Sequence, residues 1–237
     1  MIELINSYIH LVPTLLIGVV YPFIAITTGH KTRSLLSESP HLKVYIYKYT
    51  MITQVILILL ITGAMQMTND QIKTIGLLFL GEPIWLLLGI ASCFLAFWLF
   101  NKISLSANQQ QKLLKQYEDV VYIMPTNARE FKYAIMLSIV AGTLEEVIFR
   151  GYLFWQMSQI MPLFPAIIVV NVVFGLSHYG TKAKNSISAF LLGMVASTLY
   201  YFTGSLLLPM VMHVIVDFYS MIMAKKLFAD QKPLNKS

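Results

Sequence analysis

Cysteine and charge are both scarce in this chain. The one cysteine, Cys93, lies in an apolar run, so neither a disulfide framework nor a cysteine-based metal site can form within the chain. Only 12% of the residues are charged, whereas 57% are hydrophobic and the mean hydropathy is +0.68. This composition lies outside the range of soluble globular domains and predicts a membrane protein. The first residues, Met1 to Ile5, lack the basic region that precedes a secretory signal, so no cleavable signal peptide is expected.

Apolar runs long enough to cross a hydrocarbon core, about 20 residues as helix, recur along the chain. We predict seven spans, near residues 5–28, 49–67, 84–100, 130–159, 166–179, 187–202 and 206–224. A polar basic loop is expected at 30–48, and the apolar piece at 75–80 is too short to cross. A half-span at residues 75–80 would raise the number of spans to eight. The fold class is therefore an all-α polytopic transmembrane bundle, with residues 1–237 forming a single membrane domain.

The basic residues give this bundle an orientation. Fifteen of the 17 lysines and arginines fall in segments on one side, Lys73 falls on the other side, and Arg150 lies within a span. The positive-inside rule then predicts an outside N-terminus and a cytoplasmic C-terminus, in a bacterial inner or plasma membrane. Topology accounts for the net charge of +6, so no nucleic-acid partner is expected. Residues 101–132 suit either an amphipathic helix on the membrane surface or a solvated connector.

A few ionisable residues lie deep in the predicted spans of the C-terminal half. An isolated charge at the bilayer centre costs about 2.5 kcal/mol or more, so such residues need partners and mark a candidate intramembrane site. Glu146 and Arg150 are four residues apart, which predicts a pair within one helix. Glu145, about 100° further round that helix, is left to face elsewhere. The full set is Glu145, Glu146, Arg150, His178, His213 and Asp217.

Three short motifs carry these residues on successive late helices. They read Glu145-Glu146-x-x-x-Arg150, then Phe174-x-x-x-His178, then His213-x-x-x-Asp217. Over residues 131–224 this order resembles the CPBP family, the CaaX proteases and bacteriocin-processing enzymes. The resemblance implies an all-helical membrane bundle that hydrolyses peptide bonds within the membrane, with residues 131–224 as its catalytic helices. The N-terminal half carries no motif of that family.

The resemblance also implies roles for the motif residues. Glu145 would be the general base and His178 its partner in activating a water, while His213 and the residue at 217 would stabilise the oxyanion. An ionised Asp217 cannot donate a hydrogen bond, so we expect it to orient His213 by accepting from a ring N–H. Glu146 and Arg150 are expected to support the site as a structural ion pair.

Two questions stay open at this stage. Glu145, His178 and His213 would make a three-ligand zinc site, but the chain lacks the His-Glu-x-x-His motif, which favours a mechanism without metal or other cofactor. The expected function is an endopeptidase acting on a peptide or lipidated peptide that enters from the bilayer. The alternative is a non-catalytic CPBP-like scaffold or bacteriocin-immunity protein. An ion-coupled transporter is not favoured, because no matching broken segments are found in the two halves.

Overall fold

The computed structural model describes residues 2–77, 83–102, 106–117 and 119–229, and this part of the chain is all-helical. Its α-helices are α1 (Ile2–Leu15), α2 (Tyr21–Glu38), α3 (Lys43–Thr68), α4 (Pro83–Lys102), α5 (Ala107–Tyr117), α6 (Ala128–Glu146), α7 (Phe154–Ile160), α8 (Leu163–Ser177), α9 (Ala183–Thr203) and α10 (Leu207–Ala229). Two π-helical segments, Leu16–Val20 and Val147–Leu153, join α1 to α2 and α6 to α7. Short 3-10 turns occupy Pro40–Leu42, Ile72–Ile75 and Val121–Ile123.

Three helical stretches are long and apolar enough to cross a membrane: Tyr8–Glu38, Pro40–Thr68 and Ala183–Thr203. Shorter apolar helices cover Pro83–Leu99, Leu163–Ser177 and Leu207–Met223. These stretches coincide with predicted spans, and the all-helical fold is confirmed. The number of spans and the orientation of the termini stay predictions. Of the apolar piece at 75–80, residues 78–80 lie outside the described residues.

The basic loop predicted at 30–48 is wrong. Helix α2 continues to Glu38 and α3 begins at Lys43, so only a short turn separates them. Ser39 breaks the helix because it precedes Pro40, which disfavours the α conformation of the residue before it. Lysine, arginine and leucine are good helix formers, so the helices extend beyond the apolar runs that predicted them. In the connector at 101–132, the helix α5 is observed, and its placement on a membrane surface stays a prediction.

The outer surface of the bundle is apolar. Leu59 on α3 and Phe202 on α9 are 66% and 77% exposed, and further large hydrophobic side chains are exposed on α1, α2, α4 and α8. Soluble monomers rarely expose contiguous apolar surface on this scale. Lipid tails are the solvent that suits such a surface, and helices satisfy their own backbone hydrogen bonds there. The chain is therefore an integral membrane protein.

A network of hydrogen bonds fixes where α6 begins. The Asn127 side chain accepts from the Glu130 backbone N–H at 3.0 Å, and the Glu130 carboxylate accepts from the Thr126 N–H at 2.8 Å. This reciprocal cap satisfies backbone donors that a helix start leaves free. Lys43 at the start of α3 donates to the Met124 carbonyl at 2.8 Å, and its Nζ lies 3.6 Å from Glu130. The cap thus sets the position of α6 against α3.

The hydrophobic core centres on the π-helical segment that follows α6. All seven residues of Val147–Leu153 are buried, and they pack against Ile61 of α3 and Phe174 of α8. A π turn is uncommon and often occurs at functional sites. Tyr152 in this segment also binds α1, because its hydroxyl lies 3.1 Å from His10 Nδ1. His10 Nε2 in turn lies 2.9 Å from Asp70 Oδ2, so this contact links α1 to the end of α3 as well.

Helices α6 and α10 approach each other closely at Gly142. A Cβ atom at this position would lie 2.6 Å from Val214 Cγ2 and 2.8 Å from the Val214 backbone nitrogen. Only glycine allows the two backbones to come this close. The contact lies one helical turn from Glu145 and Glu146, so it sets the distance between the acids and the residues of α10.

We therefore predict that Gly142→Ala forces α6 and α10 apart and lowers the free energy of unfolding by about 1–3 kcal/mol, as overpacking does. Thermal unfolding of the purified protein in detergent measures the effect. Gly63→Ala is the matched control, because a Cβ at Gly63 of α3 meets nothing within 4 Å. Equal melting temperatures for the two variants would contradict the close approach.

Candidate active site

Side chains from four helices meet between α3, α6, α8 and α10. Of the six residues predicted from the sequence, five form one connected cluster: Glu145, Glu146, Arg150, His178 and His213. Both acids and Arg150 are buried, whereas the His178 side chain is 36% exposed. The site is therefore open at the His178 side and closed around Arg150.

Glu146 joins two helices through one oxygen. Its Oε1 accepts from Arg150 Nη1 at 3.0 Å and lies 2.7 Å from His213 Nδ1 on α10. The ion pair predicted between Glu146 and Arg150 is present. An ionised carboxylate only accepts hydrogen bonds, so the proton of this contact is assigned to His213 Nδ1. The Nε2 atom of His213 is then the ring nitrogen available for chemistry.

Polar and aromatic groups surround the Arg150 guanidinium, which is 1% exposed. Nη2 donates to Asn171 Oδ1 at 3.2 Å, and Asn171 Nδ2 donates to Ser197 Oγ of α9 at 2.8 Å. The Phe174 ring lies 4.0 Å from the guanidinium carbon, a cation–π distance. Asn171 therefore joins α8 to Arg150 and to α9 through hydrogen bonds, and Phe174 belongs to the buried core.

Gly193 of α9 leaves room for the hydrogen bond between Arg150 and Asn171. A Cβ atom at Gly193 would lie 2.3 Å from Asn171 Oδ1 and 2.6 Å from Arg150 Nη2. Any larger residue would displace the hydrogen bond between these two groups. The α9 backbone thus closes the cluster from one side, which fits an ion pair that holds the bundle together.

Glu145 faces a different direction from Glu146, toward α3 and the end of α8. Its Oε1 accepts from Gln54 Nε2 of α3 at 2.7 Å, and its Oε2 lies 3.5 Å from His178 Nε2. Oε2 is buried and has no hydrogen-bond partner among the described residues. Sequence reasoning did not identify Gln54. A signal was present, because Gln54 is a polar residue in the middle of an apolar run.

A backbone carbonyl fixes the orientation of His178. His178 follows the last residue of α8, and its Nδ1 lies 2.8 Å from the Phe174 carbonyl oxygen. A carbonyl only accepts, so Nδ1 carries the proton and Nε2 faces Glu145. In the neutral ring Nε2 is an acceptor. Glu145 and His178 therefore present two adjacent proton-accepting atoms at the open side of the site.

Asp217 differs from its prediction. We expected it to orient His213 by accepting a ring N–H, but the Nδ1 of His213 is directed at Glu146 instead. The ion pairs among the described residues do not include one between Asp217 and His213. Asp217 is half-buried one turn further along α10, within electrostatic reach of His213 and Glu145. Glu146 thus takes the orienting position that the sequence suggested for Asp217.

The positions of Glu145, His178 and His213 can be compared with those needed for the three-ligand zinc site considered from the sequence. Within the described part of the chain, no three His, Cys, Asp or Glu side chains are grouped as ligands for a metal ion. Glu145 Oε1 is held by Gln54, and the Nδ1 atoms of both histidines are held by Phe174 and Glu146. These hydrogen bonds leave the Nε2 atom of each histidine facing the site, and a mechanism without metal stays a prediction.

Comparison with known proteins supports the resemblance found in the sequence. Residues 127–219 match the family described as Rce1-like: Type II CAAX prenyl endopeptidase Rce1-like. The match covers less than half of the chain but includes all three motifs and the cap of α6. Neither the curated proteins nor the solved structures gave a match. Residues 127–219, which carry the acids and both histidines of this site, are thus similar to the Rce1-like type II CAAX prenyl endopeptidases.

Proposed function

We propose that the protein is an intramembrane endopeptidase in which Glu145 and His178 activate a water to hydrolyse a peptide bond. The observation that carries this proposal is the pairing of Glu145 Oε2 with His178 Nε2 at 3.5 Å, with Oε1 bound elsewhere. A water that donates one hydrogen to each of these atoms has its oxygen lone pair free for attack. Such a water is held by two acceptors from two helices.

The reaction then needs one proton to move twice. As the water oxygen attacks the peptide carbonyl carbon, Glu145 Oε2 takes a proton from it, and the carbonyl oxygen becomes an oxyanion. His213, protonated on both nitrogens and held at Nδ1 by Glu146, donates from Nε2 to that oxyanion. When the carbon–nitrogen bond breaks, Glu145 returns the proton to the leaving amine. Asp217 is not needed for these steps and is assigned to the mouth of the site.

The substrate proposed is a peptide or lipidated peptide that enters from the bilayer. An apolar groove of about 970 Å³ lies between α4, α6 and α10, lined on α10 by Phe218, Met221 and Ile222. The residues that line it do not include the acids or histidines of the site, so the groove is proposed as the apolar surface along which such a peptide approaches. The family name makes a prenylated CaaX peptide the first substrate to test. A non-catalytic scaffold is not favoured, since it has no need for a buried carboxylate oxygen that faces a histidine.

Replacing Glu145 tests the proposal. Glu145→Gln keeps the size of the side chain and can still accept from Gln54, but it removes the base, so we expect peptide release to fall by about 10²–10⁴-fold. The measurement compares peptides and membrane-protein fragments, by mass spectrometry, from cells that carry the wild-type or the variant protein.

Glu38→Gln serves as the control, because this exposed acid at the end of α2 contacts Ser34 and not the site. Cleavage products should be lost in the Glu145 variant and retained in the Glu38 variant at equal protein levels. Identical peptide profiles for Glu145→Gln and the wild type would contradict the proposed function.

Glu146→Gln should behave differently from Glu145→Gln. Removing this carboxylate leaves the buried charge of Arg150 without its partner, which costs about 3–5 kcal/mol. We therefore expect a large fall in melting temperature for Glu146→Gln and a small one for Glu145→Gln, measured in the same detergent. A larger fall for Glu145→Gln would mean that the roles of the two acids are reversed.

Chelation tests the part of the proposal that excludes metal from the reaction. Because the three candidate ligands are not grouped, we expect peptide release by purified protein to survive prolonged treatment with EDTA followed by gel filtration. Metal content is measured on the same sample. Activity that disappears with EDTA and returns with Zn²⁺ would overturn the metal-free mechanism while leaving the hydrolase proposal intact.

A further inference from the structure

A residue outside the family match contacts the proposed base directly. Gln54 lies on α3, well before residues 127–219, and belongs to none of the three motifs. Its side chain is 1% exposed and donates from Nε2 to Glu145 Oε1 at 2.7 Å. The other oxygen of this carboxylate, Oε2, lies 3.5 Å from His178 Nε2.

The chemistry of the two side chains fixes which atoms meet. A carboxylate only accepts hydrogen bonds, so a primary amide beside it must present its NH₂ group rather than its oxygen. Glu145 Oε1 is then engaged, and Oε2 is the oxygen left to accept a proton. His178 Nε2 lies on the Oε2 side, at 3.5 Å. The two oxygens of one carboxylate thus have different tasks.

The surrounding structure holds Gln54 in place. Tyr47, two turns earlier on α3, donates to the Ile123 carbonyl just before α6, and Lys43 donates to the Met124 carbonyl. These bonds tie α3 to the segment that leads into α6. A helix anchored in this way presents Gln54 at a constant height opposite Glu145, whereas a residue on a loop would not be so constrained.

We propose that Gln54 is a positioning residue that holds Glu145 Oε1 and thereby directs Oε2 toward His178 and the attacking water. The proposal rests on the endopeptidase function and adds to it a residue from the N-terminal half. Without the amide, the carboxylate can rotate about its last bond, and neither oxygen is held beside His178. Small displacements of a catalytic group cost up to about 10²-fold in rate.

An ordinary interhelical hydrogen bond would have different consequences. If Gln54 only joined α3 to α6, its loss would lower the stability of the bundle, and activity would follow the amount of folded protein. A positioning role predicts loss of kcat at unchanged KM and unchanged folded amount, because Gln54 acts on the base and not on substrate binding. One set of kinetic measurements therefore distinguishes a positioning role of Gln54 from a purely structural one.

The test uses the full-length protein in proteoliposomes, with the peptide whose release distinguishes wild-type from Glu145→Gln cells. Gln54→Leu and Gln54→Met keep the volume of the side chain and remove the amide. We expect kcat per folded molecule to fall by about 10- to 100-fold in both, with KM within about twofold of the wild type and a smaller fall in melting temperature than that of Glu146→Gln. Thr53→Val is the control, since this neighbouring hydroxyl donates to the Tyr49 carbonyl within α3.

The possible results distinguish the positioning role of Gln54 from the endopeptidase function on which it rests. Wild-type kcat in a folded Gln54→Leu or Gln54→Met protein, alongside an inactive Glu145→Gln protein, would overturn the positioning role alone. An equal loss in Thr53→Val, or a loss confined to KM, would also overturn it. If Glu145→Gln releases the same peptides as the wild type, the endopeptidase function fails and the inference fails with it.

Discussion

The arrangement of this protein depends on the burial of one guanidinium inside an apolar bundle. Arg150 is almost inaccessible, and a buried charge is tolerated only when it is paired and hydrogen-bonded. Its partners come from different helices: Glu146 from its own helix, Asn171 and the ring of Phe174 from α8. Satisfying Arg150 therefore brings α6 and α8 together, and Asn171 and Glu146 extend the network to α9 and α10. In the proposed mechanism this ion pair organises the site and transfers no proton.

This network also explains why two adjacent acids have different environments. Neighbouring residues on a helix point about 100° apart, so the helix alone separates them. Glu146 is neutralised by Arg150 and bound to His213, and it is unsuited to act as a base. Glu145 has one oxygen bound by an amide and the other beside an imidazole at the exposed side of the cluster. The same dipeptide thus supplies a structural anion and a candidate base.

The sequence was sufficient to predict the helical class, the positions of most apolar helices and the convergence of the C-terminal acids and histidines. Those predictions depend on hydropathy and helical spacing, which are local properties. Hydropathy marks Gln54 as a polar residue in an apolar run but does not pair it with Glu145, because the contact joins residues 91 positions apart and no periodicity relates them. The contact between Glu146 and His213 could not be predicted for the same reason. Asp217, four residues from His213 on the same helix, was the orienting residue that local spacing indicated. The length of α2 was underestimated, since polarity marks the end of an apolar run and not the end of a helix.

The central claim is that each acid has its own histidine. Solid-state NMR of the protein in lipid bilayers can test it, with ¹⁵N in the histidine rings, ¹³C at the glutamate Cδ atoms, and Glu145→Gln and Glu146→Gln samples for assignment. The account predicts a short Glu146 Cδ to His213 Nδ1 distance and a somewhat longer Glu145 Cδ to His178 Nε2 distance. Both imidazoles coupled to one carboxylate, or neither coupled to any, would contradict it.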